Sequence, residues 1–345
     1  MRFPKALQSN GTIGFVAPSF GAATEPYIST YNAATNKFKQ LGHGIVEGPN
    51  TRRGDGIGIS ATPQECAMEF MDMYERGDSD VLISCGGGEL MCTDLSYMDF
   101  DRIKQANPKW FMGYSDNTNM TYLLTTICDT ASIYGPCAST FGQSEWHPLV
   151  KSAFSLLKTS DSFSVSGSKL WEKESLKSEE NPYVGYNLTE NTKLYLSKGA
   201  EVVEELAMSG RLIGGCMDCL ITLLGTRFDK TAQFLERYKE DGFIWFIESC
   251  DLNVFSIRRA LWQMKEAGWF KYVKGFLIGR PMHFDEGFMG LDQYKAVHDS
   301  LDDFNVPIVM DTDIGHLPPQ MPIVCGSMAD VHVKGNDINI TMYYK

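Results

Sequence analysis

Short apolar runs alternate with segments of helical periodicity along the first half of the chain. The apolar runs cover residues 12–18, 43–47, 81–85, 110–113 and 131–135, and amphipathic segments occur at 26–41, 62–77 and 119–128. The runs have the length of buried strands, and the amphipathic segments have the length of helices. Strands separated by helices predict a parallel sheet with right-handed crossovers, in which ligands bind at the carboxyl ends of the strands.

The pattern changes between residues 160 and 205 and then alternates again. Residues 160–168 are small and polar, and residues 172–182 are charged with little periodicity. Beyond them, strands are predicted at 243–248, 275–280 and 306–310, helices at 216–224, 254–268 and 291–304, and a terminal hairpin at 329–343. We therefore divide the chain into an N-terminal α/β domain at 1–160, an interdomain crossing at 161–205 and a C-terminal α/β domain at 206–345.

Composition and charge restrict the class of protein. The 345 residues are 43% apolar and 21% charged, which is ordinary for a globular chain long enough for two domains. The net charge is −12 and no basic tract occurs, so a nucleic acid polymer and an anionic membrane surface are poor partners. No signal-peptide pattern and no apolar run of about 18 residues is present, which predicts a cytoplasmic protein.

The nine cysteines are scattered and odd in number, so a disulfide framework is not expected. Cys216 and Cys219 form a single C-x-x-C motif directly before an apolar segment. A structural zinc ion would need a second pair at suitable spacing, and the sequence has none. A redox pair is the alternative to two buried thiols at a helix start; we predict the buried thiols and no metal site.

A serine follows the apolar run at 110–113, at the predicted edge of the sheet. Residues 113–118 read Gly-Tyr-Ser-Asp-Asn-Thr, an order typical of a strand, a very short turn and a helix N-terminus. At such a turn, free backbone N–H groups and the positive end of a helix dipole would lie beside Ser115, which is the setting a nucleophilic hydroxyl needs. The alternative is that Ser115, Asp116 or Asn117 only caps the helix.

Three consecutive glycines, Gly86 to Gly88, follow the strand predicted at 81–85. One interpretation is a phosphate cradle, but the spacing differs from G-x-G-x-x-G and Glu89 would repel a phosphate. A second is a backbone that approaches the reacting centre and directs an N–H at it. A plain tight turn is the third, and the glycines alone leave the choice open.

The second half of the chain supplies an acid and a base. Glu248 ends the strand predicted at 243–248, where a carboxylate needs either solvent or a specific partner. His316 lies in a loop just beyond the strand predicted at 306–310, and His283 is the other histidine in a suitable loop. Ser115, Glu248 and His316 follow the chain order serine, acid, histidine that α/β-hydrolases use, although geometry and not order defines a triad.

Together these segments resemble the LD-carboxypeptidases, a family of serine peptidases that includes the microcin C self-immunity proteins. The resemblance extends along nearly the whole chain and rests on residues 14–19, 86–88, 113–118, 210–215, 243–248 and 315–316. It implies a Rossmann-like, parallel-sheet N-terminal domain and a smaller mixed α/β C-terminal domain, with the active site at their interface. It further implies Ser115 as nucleophile, His316 as general base and Glu248 as the acid that orients the base.

The same resemblance implies the remaining site residues. The oxyanion donors would be the backbone N–H of Asp116 and that of Gly87 or Gly88. Candidates for substrate contacts are Glu89, Asn117 and Trp171. The resemblance implies no cofactor. It also implies that the protein is a homodimer.

The implied reaction is acyl transfer to Ser115 and then to water, on a small peptide or peptidyl-nucleotide substrate. Many family members have an arginine before the glycine turn and an aromatic residue after it, whereas Cys85 and residues 88–91 occupy these positions here. The region of Cys216 and the segment 171–205 are more similar to the immunity proteins, which cleave an amide that joins a peptidyl or aminoacyl group to a nucleotide-like group. A murein tetrapeptide LD-carboxypeptidase is the alternative, and a non-catalytic ligand-binding protein is the alternative of another class.

Overall fold

Two large β-sheets organise the chain, and the computed structural model describes all of residues 1–345. The first sheet contains strands β1 (Thr12–Val16), β2 (Gly44–Glu47), β3 (Val81–Ser84), β4 (Trp110–Gly113), β5 (Ser132–Tyr134) and β15 (Ile323–Cys325). Its spatial order is β15-β5-β4-β3-β1-β2, and every pair is parallel except β15 with β5. The predicted parallel sheet is therefore present, with one antiparallel edge strand contributed from far along the chain.

The second sheet has nine strands and is mixed. Its members are β6 (Ser162–Ser166), β9 (Tyr195–Lys198), β10 (Glu201–Val202), β11 (Glu205–Cys216), β12 (Phe243–Glu248), β13 (Val273–Gly279), β14 (Pro307–Thr312), β16 (Met328–Lys334) and β17 (Asp337–Tyr343). The order is β10-β9-β14-β13-β12-β11-β16-β17-β6, and the four strands from β11 to β14 are parallel to one another. A separate antiparallel pair joins β7 (Leu170–Trp171) to β8 (Glu190–Asn191).

Nine α-helices connect the strands. They are α1 (Tyr27–Gln40), α2 (Pro63–Glu75), α3 (Phe100–Gln105), α4 (Thr118–Thr126), α5 (Pro148–Leu157), α6 (Met217–Leu223), α7 (Thr231–Arg237), α8 (Val254–Glu266) and α9 (Gln293–Leu301). Short 3-10 turns lie at Met91–Tyr97, Ser115–Asn117, Ala138–Gly142 and Asp302–Phe304. No helix combines the length and the apolarity that crossing a bilayer requires.

The amphipathic segments predicted to be helical are helices in the structure, with ends that differ by a few residues. α2 begins as predicted, because Thr62 and Glu65 form a reciprocal capping box around Pro63. The segment 161–205 contains five strands, of which β6, β9 and β10 belong to the second sheet. The division into three parts with boundaries at 160 and 205 stays a prediction.

The two sheets share one apolar core. The largest cluster of buried side chains combines residues of the first sheet, such as Ile13 and Trp110, with residues of the second, such as Ile244 and Val309. Across this junction, the backbone N–H of Cys216 at the end of β11 donates to Thr118 Oγ1 at the start of α4, at 3.0 Å. Since α4 follows β4 and β11 is parallel to its neighbour β12, the carboxyl ends of β4 and β12 lie close together.

Replacement of Gly215 by alanine should test this junction. A Cβ at Gly215 would lie 2.6 Å from Thr118 Cγ2, and the backbone there has a φ of +147°, which side chains rarely allow. We expect Gly215→Ala to lower the free energy of unfolding by about 1–3 kcal/mol, the usual cost of overpacking, measured by urea denaturation. Gly185→Ala is the matched control, since nothing lies within 4 Å of its added Cβ. Equal stability of the two variants would contradict the close packing of β11 on α4.

Candidate active site

Ser115 lies in a strained turn at the carboxyl end of β4. Its φ of +62° is unusual for a residue with a side chain, and the turn leads directly into α4 at Thr118. A sharp strand-to-helix turn of this kind exposes a serine hydroxyl at the top of a sheet, and its strain persists only where the surroundings enforce it. The helix-capping alternative is not seen, because α4 has no side-chain cap.

His316 and Glu248 complete a chain of hydrogen bonds that begins at Ser115. His316 Nε2 is 2.9 Å from Ser115 Oγ, and His316 Nδ1 is 2.8 Å from Glu248 Oε2. The loop of His316 can approach this closely because the preceding residue is Gly315, where a Cβ would lie 2.6 Å from Glu248 Oε2. The structure thus brings together three residues from three distant parts of the sequence.

Tyr134 links the two sheets at this point, and sequence reasoning missed it. Its hydroxyl donates to Glu248 Oε1 and accepts the backbone N–H of Ser115 at 3.3 Å. Tyr134 ends β5, which pairs with β4, so the rule that sites form at the carboxyl ends of parallel strands was the available signal. With both oxygens of Glu248 engaged, the carboxylate is held in one orientation.

A buried ion pair positions the loop that carries His316. Arg280, at the end of β13, bonds to the carboxylate of Asp313, and both side chains are almost fully buried. The backbone N–H of Ser168 donates to the other oxygen of Asp313 at 2.5 Å. The Arg280 guanidinium also lies over the Trp171 ring, 5.0 Å from its centroid. These contacts tie the segment after β6 to the loop of the base.

The glycine turn passes directly beside the hydroxyl of Ser115. A Cβ on Gly87 would lie 3.2 Å from Ser115 Oγ, and the amide of Asn117 donates to the carbonyl of Gly86 at 2.8 Å. The backbone N–H groups of Gly87 and Gly88 donate to no acceptor within the chain. The turn therefore has donors left for another molecule, as an oxyanion hole requires.

The side chain of Asp116 connects three segments that surround Ser115. Its carboxylate accepts from Ser19 Oγ at 2.6 Å, from the Met91 N–H at 2.9 Å and from Asn119 Nδ2 at 3.0 Å. Burial raises the pKa of Asp116, and the hydrogen bond from Ser19 works in the opposite direction. This carboxylate joins the turn after β1, the turn after β3 and the nucleophile turn.

A pocket of about 100 Å³ opens beside Ser115. It is lined by Gly88, Glu89, Cys92, Ser115, Asp116, Asn119, Cys216, Asp218, Cys219, Thr222, Cys250 and Asp251. Of the three side chains predicted to contact substrate, Glu89 lies in this lining, whereas Asn117 and Trp171 do not. Asn117 is fully buried, and Trp171 packs edge-on against Phe284 with 4% of its surface exposed.

Two buried cysteines and the histidine His283 do not have the setting that a reacting side chain needs. Cys85 and Cys137 are buried, and burial raises the pKa of the Cys85 thiol well above its usual range and that of Cys137 to about 12. A reactive thiolate is disfavoured at both positions. His283 bonds to Glu286 on an exposed loop. All nine cysteines are free, and no group of three or more metal-ligating side chains is arranged to hold an ion.

Electrostatics at His316 follow from burial and from Glu248. Burial of the imidazole alone would lower its pKa, but the Glu248 carboxylate outweighs that effect and Cys250 adds to it, so the pKa of His316 lies well above its ordinary value of 6.5. The pair thus favours the imidazolium, which is the form that His316 would take after accepting a proton from Ser115.

The fold and this cluster define a class: α/β proteins with a parallel and a mixed sheet and a serine–histidine–glutamate cluster where the two sheets meet. The chain belongs to the LD-carboxypeptidase family of peptidases, as predicted. A model of the LD-carboxypeptidase N-terminal domain matches residues 13–135, and a model of the C-terminal domain matches residues 209–331.

Named relatives cover nearly the whole chain. The microcin C7 self-immunity protein of Escherichia coli is 27% identical over 349 residues, 98% of this chain and 95% of that protein. A probable murein peptide carboxypeptidase of Bacillus subtilis is 26% identical over 339 residues, 94% of this chain and 90% of that protein. A solved structure of the microcin C7 self-immunity protein in complex with aspartyl sulfamoyl adenosine has a TM-score of 0.82 at 24% identity and covers 100% of this chain and 99% of that one. The last comparison confirms the predicted fold class.

The pKa of His316 should depend on Glu248. In Glu248→Gln the burial of the imidazole remains and the charge is removed, so we expect the pKa of His316 to fall, measured by NMR titration of the ring protons. In the wild type the folded-state pKa of His316 is raised, so the pairing of His316 with Glu248 contributes to the free energy of unfolding. This contribution is fully present below about pH 6.5 and is lost as pH rises through the folded-state pKa of His316.

Glu286→Gln is the matched control, since it removes the same charge from the exposed pair with His283. It should leave the titration of His316 unchanged. An unaltered pKa of His316 in Glu248→Gln would contradict the electrostatic role of that carboxylate.

Proposed function

We propose that the protein is a serine peptidase or amidohydrolase that uses Ser115, His316 and Glu248 as its catalytic triad. The observation that carries this proposal is the unbroken series of contacts from Glu248 through His316 to Ser115 Oγ, at 2.8 and 2.9 Å, beside an open pocket. Each neighbouring pair is within the reach that proton transfer needs.

The geometry supports the following sequence of steps. His316 Nε2 takes the proton of Ser115 as Oγ attacks the amide carbonyl, and Glu248 stabilises the imidazolium that forms. The backbone N–H of Asp116, with that of Gly87 or Gly88, stabilises the oxyanion. His316 then protonates the leaving amine, and water, deprotonated by His316, hydrolyses the acyl-enzyme.

For the substrate, we propose an amide that joins a peptidyl or aminoacyl group to a nucleotide-like group. The match to the microcin C7 self-immunity protein over 98% of this chain supports this choice, and so does the aspartyl sulfamoyl adenosine bound to that protein. A murein tetrapeptide is the second candidate, supported by the relative in Bacillus subtilis. A homodimer and a cytoplasmic location stay predictions.

Removal of either reacting side chain should abolish turnover. We expect Ser115→Ala and His316→Ala to reduce the rate of amide hydrolysis by about a thousandfold or more, because triad members act as a unit. A fluorophosphonate probe should label the wild type and fail to label Ser115→Ala, detected by mass spectrometry. Ser155→Ala is the control: this exposed serine of α5 should not affect labelling or turnover. A folded wild type that resists the probe would support the non-catalytic binding protein instead.

A direct comparison of two substrates should distinguish the two candidate reactions. We expect the purified protein to hydrolyse an aminoacyl sulfamoyl-adenosine with a higher kcat/KM than a murein tetrapeptide, followed by chromatography of the released amine. The Ser115→Ala variant measures background hydrolysis for both compounds. The reverse order of kcat/KM would assign the protein to murein peptide trimming.

A further inference from the structure

Four of the nine cysteines line the pocket beside Ser115, and two of these four form the C-x-x-C motif. The lining cysteines are Cys92, Cys216, Cys219 and Cys250. The sequence predicted two buried thiols in the motif; Cys216 is buried, but Cys219 is partly exposed. A small molecule that enters the pocket can therefore reach the thiol of Cys219.

The two thiols of the motif interact with each other. Cys216 is the N-cap residue of α6 and has an extended backbone, and Cys219 lies in the first turn of that helix. An N-cap side chain reaches over the first turn towards the third helical residue, so cysteines at these two positions bring their sulfur atoms together. The interaction with Cys219, followed by burial, raises the pKa of the Cys216 thiol well above its usual value. A bond between the two sulfurs would thus need side-chain rotation and no rearrangement of the fold.

The same pair contacts the turn that carries the nucleophile. The Cys219 thiol donates to the backbone carbonyl of Ser115 at 3.7 Å and lies 3.9 Å from Asp116 Oδ1. The backbone N–H of Cys216 donates to Thr118 Oγ1 at 3.0 Å, just beyond that turn. Because Ser115 has a positive φ, its conformation depends on contacts of this kind. A change at the Cys219 sulfur therefore acts directly on the backbone of the nucleophile.

The surroundings of the pair favour its uncharged forms. At Cys219 the interaction with Cys216 lowers the pKa, but burial and the carboxylates of Asp116, Asp218 and Glu248 raise it by more. Burial and negative charge oppose a thiolate, whereas a disulfide is neutral and is not opposed. Stabilised thiolates make a disulfide a strong oxidant, so their absence here favours an oxidised form that forms slowly and persists until it is reduced.

From these contacts we propose that Cys216 and Cys219 are a reversible oxidation site, and that their disulfide slows the reactions of Ser115. The effect on Ser115 rests on the proposed function, whereas formation of the bond does not. With diamide, a diazenedicarboxamide, each thiol loses its hydrogen and one S–S bond forms. The N=N bond of the oxidant becomes the N–N bond of a hydrazine that carries both hydrogens. After oxidation, Cys219 has no S–H to donate to the Ser115 carbonyl.

Formation of the bond can be measured without a substrate. The wild type is treated with diamide, the remaining thiols are blocked with N-ethylmaleimide, and tryptic peptides are analysed by mass spectrometry. Trypsin releases Cys216 and Cys219 in one peptide, 212–227. We expect this peptide to lose two hydrogens and to escape blocking, and to regain both thiols after dithiothreitol. Blocked thiols in this peptide, or Cys219 joined to Cys92 or Cys250, would overturn the proposal.

The consequence for the nucleophile is measured by the rate at which a fluorophosphonate labels Ser115. We expect the oxidised wild type to be labelled about two- to fivefold more slowly than the reduced protein, the effect of losing one weak hydrogen bond. Dithiothreitol should restore the original rate. Equal rates for a protein with the disulfide and one without it would also overturn the proposal.

Two serine variants separate this pair from the other thiols of the pocket. In Cys219→Ser the remaining thiol of the motif is buried and has no partner, so diamide should leave the labelling rate of this variant at its own reduced value. Cys92→Ser is the matched control, since it removes another partly exposed thiol of the same lining. It should keep both the disulfide and the slower labelling. A response that persists in Cys219→Ser, or is lost in Cys92→Ser, would assign the oxidation to other cysteines and contradict the proposal.

The outcomes are distinct from those that test the triad. A disulfide between Cys216 and Cys219 in a protein that resists the fluorophosphonate would support the oxidation site and count against the proposed hydrolysis. Labelling of Ser115 that diamide never slows would support the nucleophile and overturn the oxidation site.

Discussion

The hydrogen bond between Tyr134 and Glu248 is the contact on which the candidate site depends. Tyr134 belongs to the first sheet and Glu248 to the second, and both side chains are buried. Because the same hydroxyl accepts the N–H of Ser115, a single side chain sets the position of the nucleophile relative to the acid. Charge-assisted hydrogen bonds in a water-poor environment are strong and directional, so this one fixes how the two sheets approach each other.

The strain at Ser115 can be understood from this junction. A positive φ at a serine costs free energy, on the order of 1–3 kcal/mol, and must be compensated by neighbouring contacts. Three hydrogen bonds of the turn provide this compensation. The Asp116 carboxylate accepts from Ser19 Oγ, and Asn117 Nδ2 donates to the carbonyl of Gly86. The backbone N–H of Ser115 donates to the hydroxyl of Tyr134. The turn is therefore determined by packing between elements and not by the local preference of its residues.

The sequence predicted those parts of the fold that are decided locally. β4 and β12 are apolar runs of strand length, and α2 begins at a capping box, so each could be placed from a few neighbouring residues. The edge strand β15 could not be placed, since its three residues pair with β5 from almost 200 positions away. The short strands between 162 and 202 were not predicted because their own apolar pattern is weak. In addition, β6 and β9 pair with the distant strands β17 and β14.

The candidate site could likewise be predicted only in part. Ser115, Glu248 and His316 could be identified because each stands at a strand end or in a loop with an unusual residue order. The roles of Tyr134, Asp218 and Asp251 could not, since they depend on which strand ends meet. Partial burial raises the pKa of Glu89, and His316 lowers it. Burial lowers the pKa of His316, but the Glu248 carboxylate raises it by more, so in the proposed mechanism the neutral imidazole is a stronger acceptor for the proton of Ser115. The same shift enlarges the fraction of imidazolium, which cannot accept that proton.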